Sequence, residues 1–325
     1  MNKLLKPLLL ALLLAAAPAQ AQKIKVGYWT SGFSLGFGAV MEQLKFAEKE
    51  GLDVEWVKFA EVNGPTRAIA TQSIDLAFGA PSTASMSIAA DGVPIKIVLA
   101  SQIAEAQIVV PAGSPIKTVA DLKGKKIGMS PPGSATHAIA SAILQNIYGL
   151  KTGEYNVVPG NEGRLAQFLI QKEVDAAVIR SVTIGQMSDD IKLVNLGSVV
   201  EDWKKLTKGT AAPILAVGIV HNDYVGKNPE AVAKFIAAMR KVNEFGSKNK
   251  DRVAEILQKT ANMNPVDAKA YAAQWDGAYM VSFETADVNS LKRMQEIVKA
   301  AGAAKLDPPE AAFLTAPFQR SKAIK

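Results

Sequence analysis

Cysteine is absent from the 325 residues, and histidine occurs only twice, as His137 and His221. The first absence excludes thiol catalysis, disulfide scaffolds, thiolate metal sites and a cysteine-linked lipid anchor, and the scarcity of imidazole leaves too little material for a histidine-built metal centre. No metal or cofactor is therefore expected. No Walker A sequence occurs, and Gly32, Gly36 and Gly38 do not fit G-x-G-x-x-G, so nucleotide-binding readings fall away. After residue 21 no run approaches the roughly 20 apolar residues of a transmembrane helix.

What is present is a globular composition: 49% hydrophobic, 21% charged, with 24 Gly and 16 Pro, enough chain for two domains. Lys3 and Lys6 precede the apolar run Leu8 to Ala17, and Ala19-Gln20-Ala21 gives the small-x-small pattern of a signal-peptidase site. Residues 1–21 therefore read as a signal peptide, with the mature chain starting at Gln22. Its removal lowers the net charge from +7 to five. Basic and acidic residues alternate, as in Lys45, Glu48, Lys49, Glu50, which makes a solvated surface the expectation and gives no nucleic-acid patch.

Strand-length apolar runs alternate with segments of helical period, the pattern of βα units around mainly parallel sheet. Strands are expected at Ile24–Trp29, Val54–Val57, Asp75–Gly79, Ile95–Ala100, Ile108–Val110, Lys126–Met129, Asn156–Val158, Asp175–Ile179, Leu193–Asn195 and Ile214–Val220. Beyond Pro229 the spacing predicts an appended helical block rather than more sheet. The segments 72–78 (QSIDLAF) and 172–178 (KEVDAAV) share one shape a hundred residues apart, which predicts two related lobes. Ligands of open α/β sheets sit beyond the carboxyl ends of strands, so Gly79–Thr83 and Ile179–Thr183 should face one cleft between lobes.

Gly32-Phe33-Ser34-Leu35-Gly36 matches a nucleophile elbow, but only about a dozen mature residues precede Ser34, too few for the strands that such an elbow follows. No catalytic residue is expected. The strand ends instead carry hydroxyl-rich loops: Trp29-Thr30-Ser31, Ser82-Thr83, Ser134-Ala135-Thr136-His137 and Arg180-Ser181-Val182-Thr183. Helix starts in such loops offer unpaired N–H groups and a positive dipole end to an anion, although the same serines also serve as ordinary N-caps. Arg180, directly after the apolar strand, either grips an anion with two parallel hydrogen bonds or pairs with Asp189 or Asp190. His137 is a candidate donor to a ligand oxygen, and Trp29 and Phe33 are candidates for an apolar wall.

Taken together, Ile24 through Thr30, Asp75 through Gly79, Val93-Pro94-Ile95, Ser114 through Ile127, Gly133 through His137, Val174 through Ala177, and Asp223-Tyr224 with Asn228-Pro229-Glu230 resemble the periplasmic substrate-binding proteins of nitrate/sulfonate/taurine-type ABC importers. The resemblance implies a two-lobed α/β fold of the type II kind, with mixed, mostly parallel sheets flanked by helices and a ligand cleft between lobes. Lobe 1 would comprise 22–108 and 214–325, and lobe 2 109–213. It implies ligand contacts from Thr30, Ser31, Ser82, Thr83, Ser134, Thr136, His137 and the loop after Ile179, a small anionic ligand, a permease partner in the inner membrane, a periplasmic location and a monomer. Sulfonate- and taurine-binding relatives have an aromatic in a Trp-x-Pro-like run where this chain has Arg180-Ser181-Val182, which points to an acidic ligand with an apolar body rather than to taurine itself. A pyrimidine-precursor branch shares the fold but depends on cysteine- and histidine-rich residues, and this chain has no cysteine.

Overall fold

The computed structural model describes residues 22–188, 190–302 and 304–324; the expected signal peptide and Asp189 lie outside them. Two mixed sheets organise the chain. The first contains β1 (Gln22–Trp29), β2 (Leu52–Phe59), β3 (Leu76–Pro81), β4 (Ile95–Ile103), β10 (Ile214–His221) and β11 (Tyr279–Ser282), in the order β11-β4-β10-β3-β1-β2. The second contains β5 (Gln107–Pro111), β6 (Lys126–Met129), β7 (Asn156–Pro159), β8 (Ala176–Ile179) and β9 (Leu193–Ser198), in the order β7-β6-β8-β5-β9. In each sheet a parallel core, β2-β1-β3 or β7-β6-β8, meets one inserted antiparallel strand, β10 or β5. The chain passes from the first sheet to the second through Ala104–Ala106 and returns ahead of Ile214.

The sequence echo is a structural echo. Gln72 and Lys172 both take left-handed φ, +56° and +58°, which turns each chain out of a helix. Asp75 and Asp175 then each accept a backbone hydrogen bond at 2.8 Å, from Lys25 and Lys126. The registers match as well, with Gly27 opposite Ala77 and Gly128 opposite Ala177. Each aspartate thus ties the start of its strand, β3 or β8, to the neighbouring parallel strand, β1 or β6, by satisfying a backbone N–H there.

The helical block past Pro229 contains the helices Pro229–Lys248, Lys250–Thr260, Pro265–Ala273 and Thr285–Ala300. The expectation that it holds no sheet is corrected by β11, which pairs antiparallel with β4 at Ser282–Ala100. Four apolar-rich residues between helices are too short for periodicity to separate strand from helix. The block also fixes the first helix, Gly32–Gln43. The Tyr271 hydroxyl donates to the Gly32 carbonyl at 2.8 Å and accepts from Gly36 N–H at 3.0 Å, and the Tyr279 hydroxyl donates to the Phe33 carbonyl at 2.5 Å. Burial raises both phenols well above their ordinary value, so they remain protonated donors.

Candidate functional site

The loops beyond the carboxyl ends of the parallel strands converge on a cleft of about 380 Å³. From the first sheet come Trp29 at the end of β1 and Ser31 after it, Glu61, Asn63 and Arg67 after β2, Gly79 and Pro81 in β3, and Gln102 in β4. From the second come Ser130 and Pro131 after β6 with Ser134 and Thr136, Asn161 and Glu162 after β7, and Arg180 after β8. Both sheets therefore supply walls, as strand-end geometry requires of open α/β sheets.

Arg180 is the centre of this arrangement. It is 5% exposed, and its guanidinium lies 4.9 Å from the centroid of Phe33, which is buried in the first helix and is not part of the cleft wall as its sequence position suggested. Such a cation over a ring is attracted by the ring's negative face. Gly32 allows this approach: its φ is +52°, and a Cβ there would lie 2.5 Å from Arg180 Nη1. Glu162 is the ion-pair partner, with Nε to Oε1 at 3.9 Å. That is too long for a hydrogen bond, and among the described residues the guanidinium donates none. Glu162 spends its other oxygen on the Arg180 N–H at 3.1 Å and the Thr183 hydroxyl at 2.7 Å. Glu105, in the crossing segment, accepts from the Ser181 N–H at 3.1 Å and from its hydroxyl at 2.5 Å. These two carboxylates cap the Ser181–Gln186 helix, so its start is not open to an anion, contrary to the expectation for that loop. Arg180 pairs within its own half with Glu162 rather than with Asp190; Asp189 lies outside the described residues.

The other expected site residues divide. Trp29, Ser31, Ser134 and Thr136 line the cleft with Arg180. Trp29 is anchored by its indole N–H donating to the Ala60 carbonyl at 3.1 Å, and Ser31 begins its helix without a side-chain cap bond. Ser134 caps its helix by accepting from His137 N–H at 3.2 Å. Thr30, by contrast, donates its hydroxyl to the Phe59 carbonyl at 3.0 Å and faces a different hollow. Ser82 is fully buried and donates to the Ile214 carbonyl at 2.7 Å, joining β3's end to the start of β10. Thr83 and His137 line a neighbouring crevice instead. In all three regions the strand-end loop is where expected, but the alternation of side chains along it sends some hydroxyls to backbone carbonyls behind the cleft.

Reasoning from sequence missed Glu162, Asn63, Arg67 and Gln102. Glu162 is the first residue of a helix just after β7, one position past its N-cap Asn161, and the strand-end rule applied to that loop finds it. Arg67 and Glu61 form an exposed pair with each other. Ser34, the serine of the apparent elbow, is 1% exposed and accepts from Gln102 Nε2 at 3.0 Å, and no histidine bonds it, so the hydroxyl is a structural acceptor.

Comparison with known proteins agrees with this architecture. The chain is 29% identical over 230 residues to the taurine-binding periplasmic protein of Escherichia coli (strain K12), covering 70% of this chain and 68% of that one. A Haemophilus influenzae protein named for thiamine biosynthesis is 30% identical over 153 residues, 46% of this chain and 47% of its own. Among solved structures, the alkanesulfonate-binding protein of Xanthomonas axonopodis pv. citri, bound to MOPS, superposes with a TM-score of 0.72 at 19% identity over 92% of this chain and 98% of that one. The aliphatic sulphonate-binding protein of Escherichia coli gives 0.73 at 18% identity, over 90% and 92%. These likenesses show the fold of periplasmic binding proteins. A family model described as NMT1/THI5 like matches residues 40–252, more than half of the chain, and the chain belongs to that family.

Proposed function

We propose that the protein is an extracytoplasmic solute-binding protein that captures a small organic acid, a sulfonate or carboxylate with an apolar body, and presents it to an ABC-type permease. The observation that carries this reading is Arg180: a cation 5% exposed, on the wall of a cleft, whose guanidinium donates no hydrogen bond among the described residues. A buried charge is costly unless paired and hydrogen-bonded, and a planar fork of open donors fits the two oxygens of an acid group. Trp29, Pro81 and Leu215 supply apolar wall for the ligand's body, and Ser31, Ser134 and Thr136 supply hydroxyls.

Binding is a non-covalent capture. A ligand that touches Arg180 from one sheet and Trp29 and Ser31 from the other favours the arrangement in which both sets of loops are close, so it shifts the population towards closure by its differential affinity. The lobes are 22–108 with 214–325, and 109–213, acting as a monomer in the periplasm. No helix among the described residues is long and apolar enough to cross a membrane.

A thermal-shift screen of ligand-stripped mature protein tests this. The panel holds taurine, MOPS, alkyl and aryl sulfonates, nitrate, and mono- and dicarboxylates. A ligand at 100 times its dissociation constant stabilises the fold by about 2.7 kcal/mol, which is readily seen. A selective shift with an organic acid supports the reading. No shift with any acid, but one with a neutral pyrimidine, transfers the protein to the pyrimidine-precursor branch.

A further inference from the structure

A second crevice, of about 580 Å³, lies beside the first and shares Asn63 and Arg67 with it. Its walls come from the helices Gly64–Ala70 and Ser82–Ala90 on one side and from Ala135–Tyr148 on the other. We propose that this crevice is a second binding site, for a small neutral polyhydroxylated molecule, separate from the acid-binding cleft.

Unsatisfied hydrogen-bonding capacity gathers here. Ten buried side-chain atoms lack a partner among the described residues, and four of them belong to the walls of this crevice: Asn63 Oδ1, Thr66 Oγ1, Thr83 Oγ1 and His137 Nδ1. Thr66 and Thr83 are 3% and 7% exposed. A buried polar atom without a partner destabilises the fold, and native proteins rarely leave several together. The walls belong to helices packed on different sheets, so a slight separation of those layers or a turn of a threonine hydroxyl brings the four atoms to an occupant.

Their chemistry defines the occupant. The His137 ring interacts with the Ser130 backbone, and burial lowers its pKa below the ordinary 6.5. Burial favours the neutral ring, and Nδ1, the nitrogen without a partner, presents a lone pair to an occupant in the tautomer protonated at Nε2. Asn63 Oδ1 is likewise an acceptor, and the two threonine hydroxyls both give and take. Two acceptors and two hydroxyls call for several donors that can also accept, which is the pattern of neighbouring hydroxyl groups. A cation would meet Arg67, and an anion would meet lone pairs at Asn63 and His137 while the Arg67 charge is already paired with Glu61. The site does not depend on the acid-binding reading, because Arg180 is not among its walls.

The test is ring ¹⁵N NMR of the mature protein with labelled histidine, titrated with erythritol and with myo-inositol. The expected result is a saturable movement of the His137 Nδ1 signal away from its free-acceptor position. The movement should weaken at least tenfold in Thr66→Val/Thr83→Val, disappear in Ser141→Trp, which fills the crevice, and persist in Arg180→Ala. Valine removes only hydroxyls that have no partner, so the double variant should fold, and its melting temperature checks this. An unsaturable response, a response that survives in both crevice variants, or a Nδ1 signal already at a water-bonded position and unmoved by either polyol overturns the proposal. So does loss of the response in Arg180→Ala, which would place the polyol in the main cleft.

Discussion

Arg180→Ala should separate ligand affinity from fold stability. In the free protein the guanidinium makes a contact with Phe33 at 4.9 Å and a distant ion pair to Glu162 at 3.9 Å. The contact over Phe33 is worth about 0.5–2 kcal/mol. Glu162 keeps its backbone bond from residue 180 and its bond from Thr183 after the substitution, so the carboxylate is not orphaned and the melting temperature should fall by only a few degrees. Affinity responds differently. Two charge-assisted hydrogen bonds to an acid group contribute about 1.5–3 kcal/mol each net of the water they replace, and at the lower end of that range we expect a loss of about 3 kcal/mol, roughly two orders of magnitude in dissociation constant. Arg180→Lys keeps the charge but not the fork, and should fall between. Isothermal titration with the tightest acid from the screen gives both numbers. An affinity within threefold of the parent in Arg180→Ala refutes the reasoning and makes Arg180 a structural bridge to Phe33.

Three further outcomes follow from the geometry. Gly79→Ala should destabilise by roughly 1–3 kcal/mol in denaturant unfolding, because φ there is +67° and a Cβ would lie 2.3 Å from Ser34 Oγ; an unchanged midpoint would contradict it. Ser82→Ala should cost about 1–3 kcal/mol of stability by orphaning the Ile214 carbonyl, with the affinity per folded molecule unchanged. His137 has a folded pKa below 6.5 because burial penalises its cation, so the unfolded chain binds the proton more readily. Its contribution to stability is complete above the unfolded value and is lost as pH falls through the folded one. Proton NMR should find a His137 midpoint below the ordinary value, and His137→Gln should flatten the acid limb of the stability curve.

Much of the scaffold was legible in the sequence because strand-length apolar runs and helix periods record which faces are buried. Asp75 and Asp175 carried the most information: the repeated aspartate marked two equivalent strand starts, and the structure gives them the same hydrogen bond and the same register. β11 was not legible, since a four-residue strand contributes no period. At the site, the strand-end rule located the loops but not the direction of each side chain. Thr30 and Ser82 lie in the right loops yet point their hydroxyls at backbone carbonyls. That choice depends on pairings with Phe59 and Ile214, remote in sequence. Glu105 and Glu162 cap the helix after Arg180 from 76 and 18 residues away, and nothing local to Arg180 announces them.

The central claim is that an acid group sits against Arg180 between the two sheets, and a crystal structure of the protein with the tightest-binding acid tests it most directly. The account predicts two ligand oxygens about 2.7–2.9 Å from the guanidinium nitrogens, with the ligand's body against Trp29 and Leu215. An acid bound elsewhere, or an Arg180 guanidinium drawn into a short bidentate pair with Glu162 while the cleft holds a neutral ligand, would contradict it.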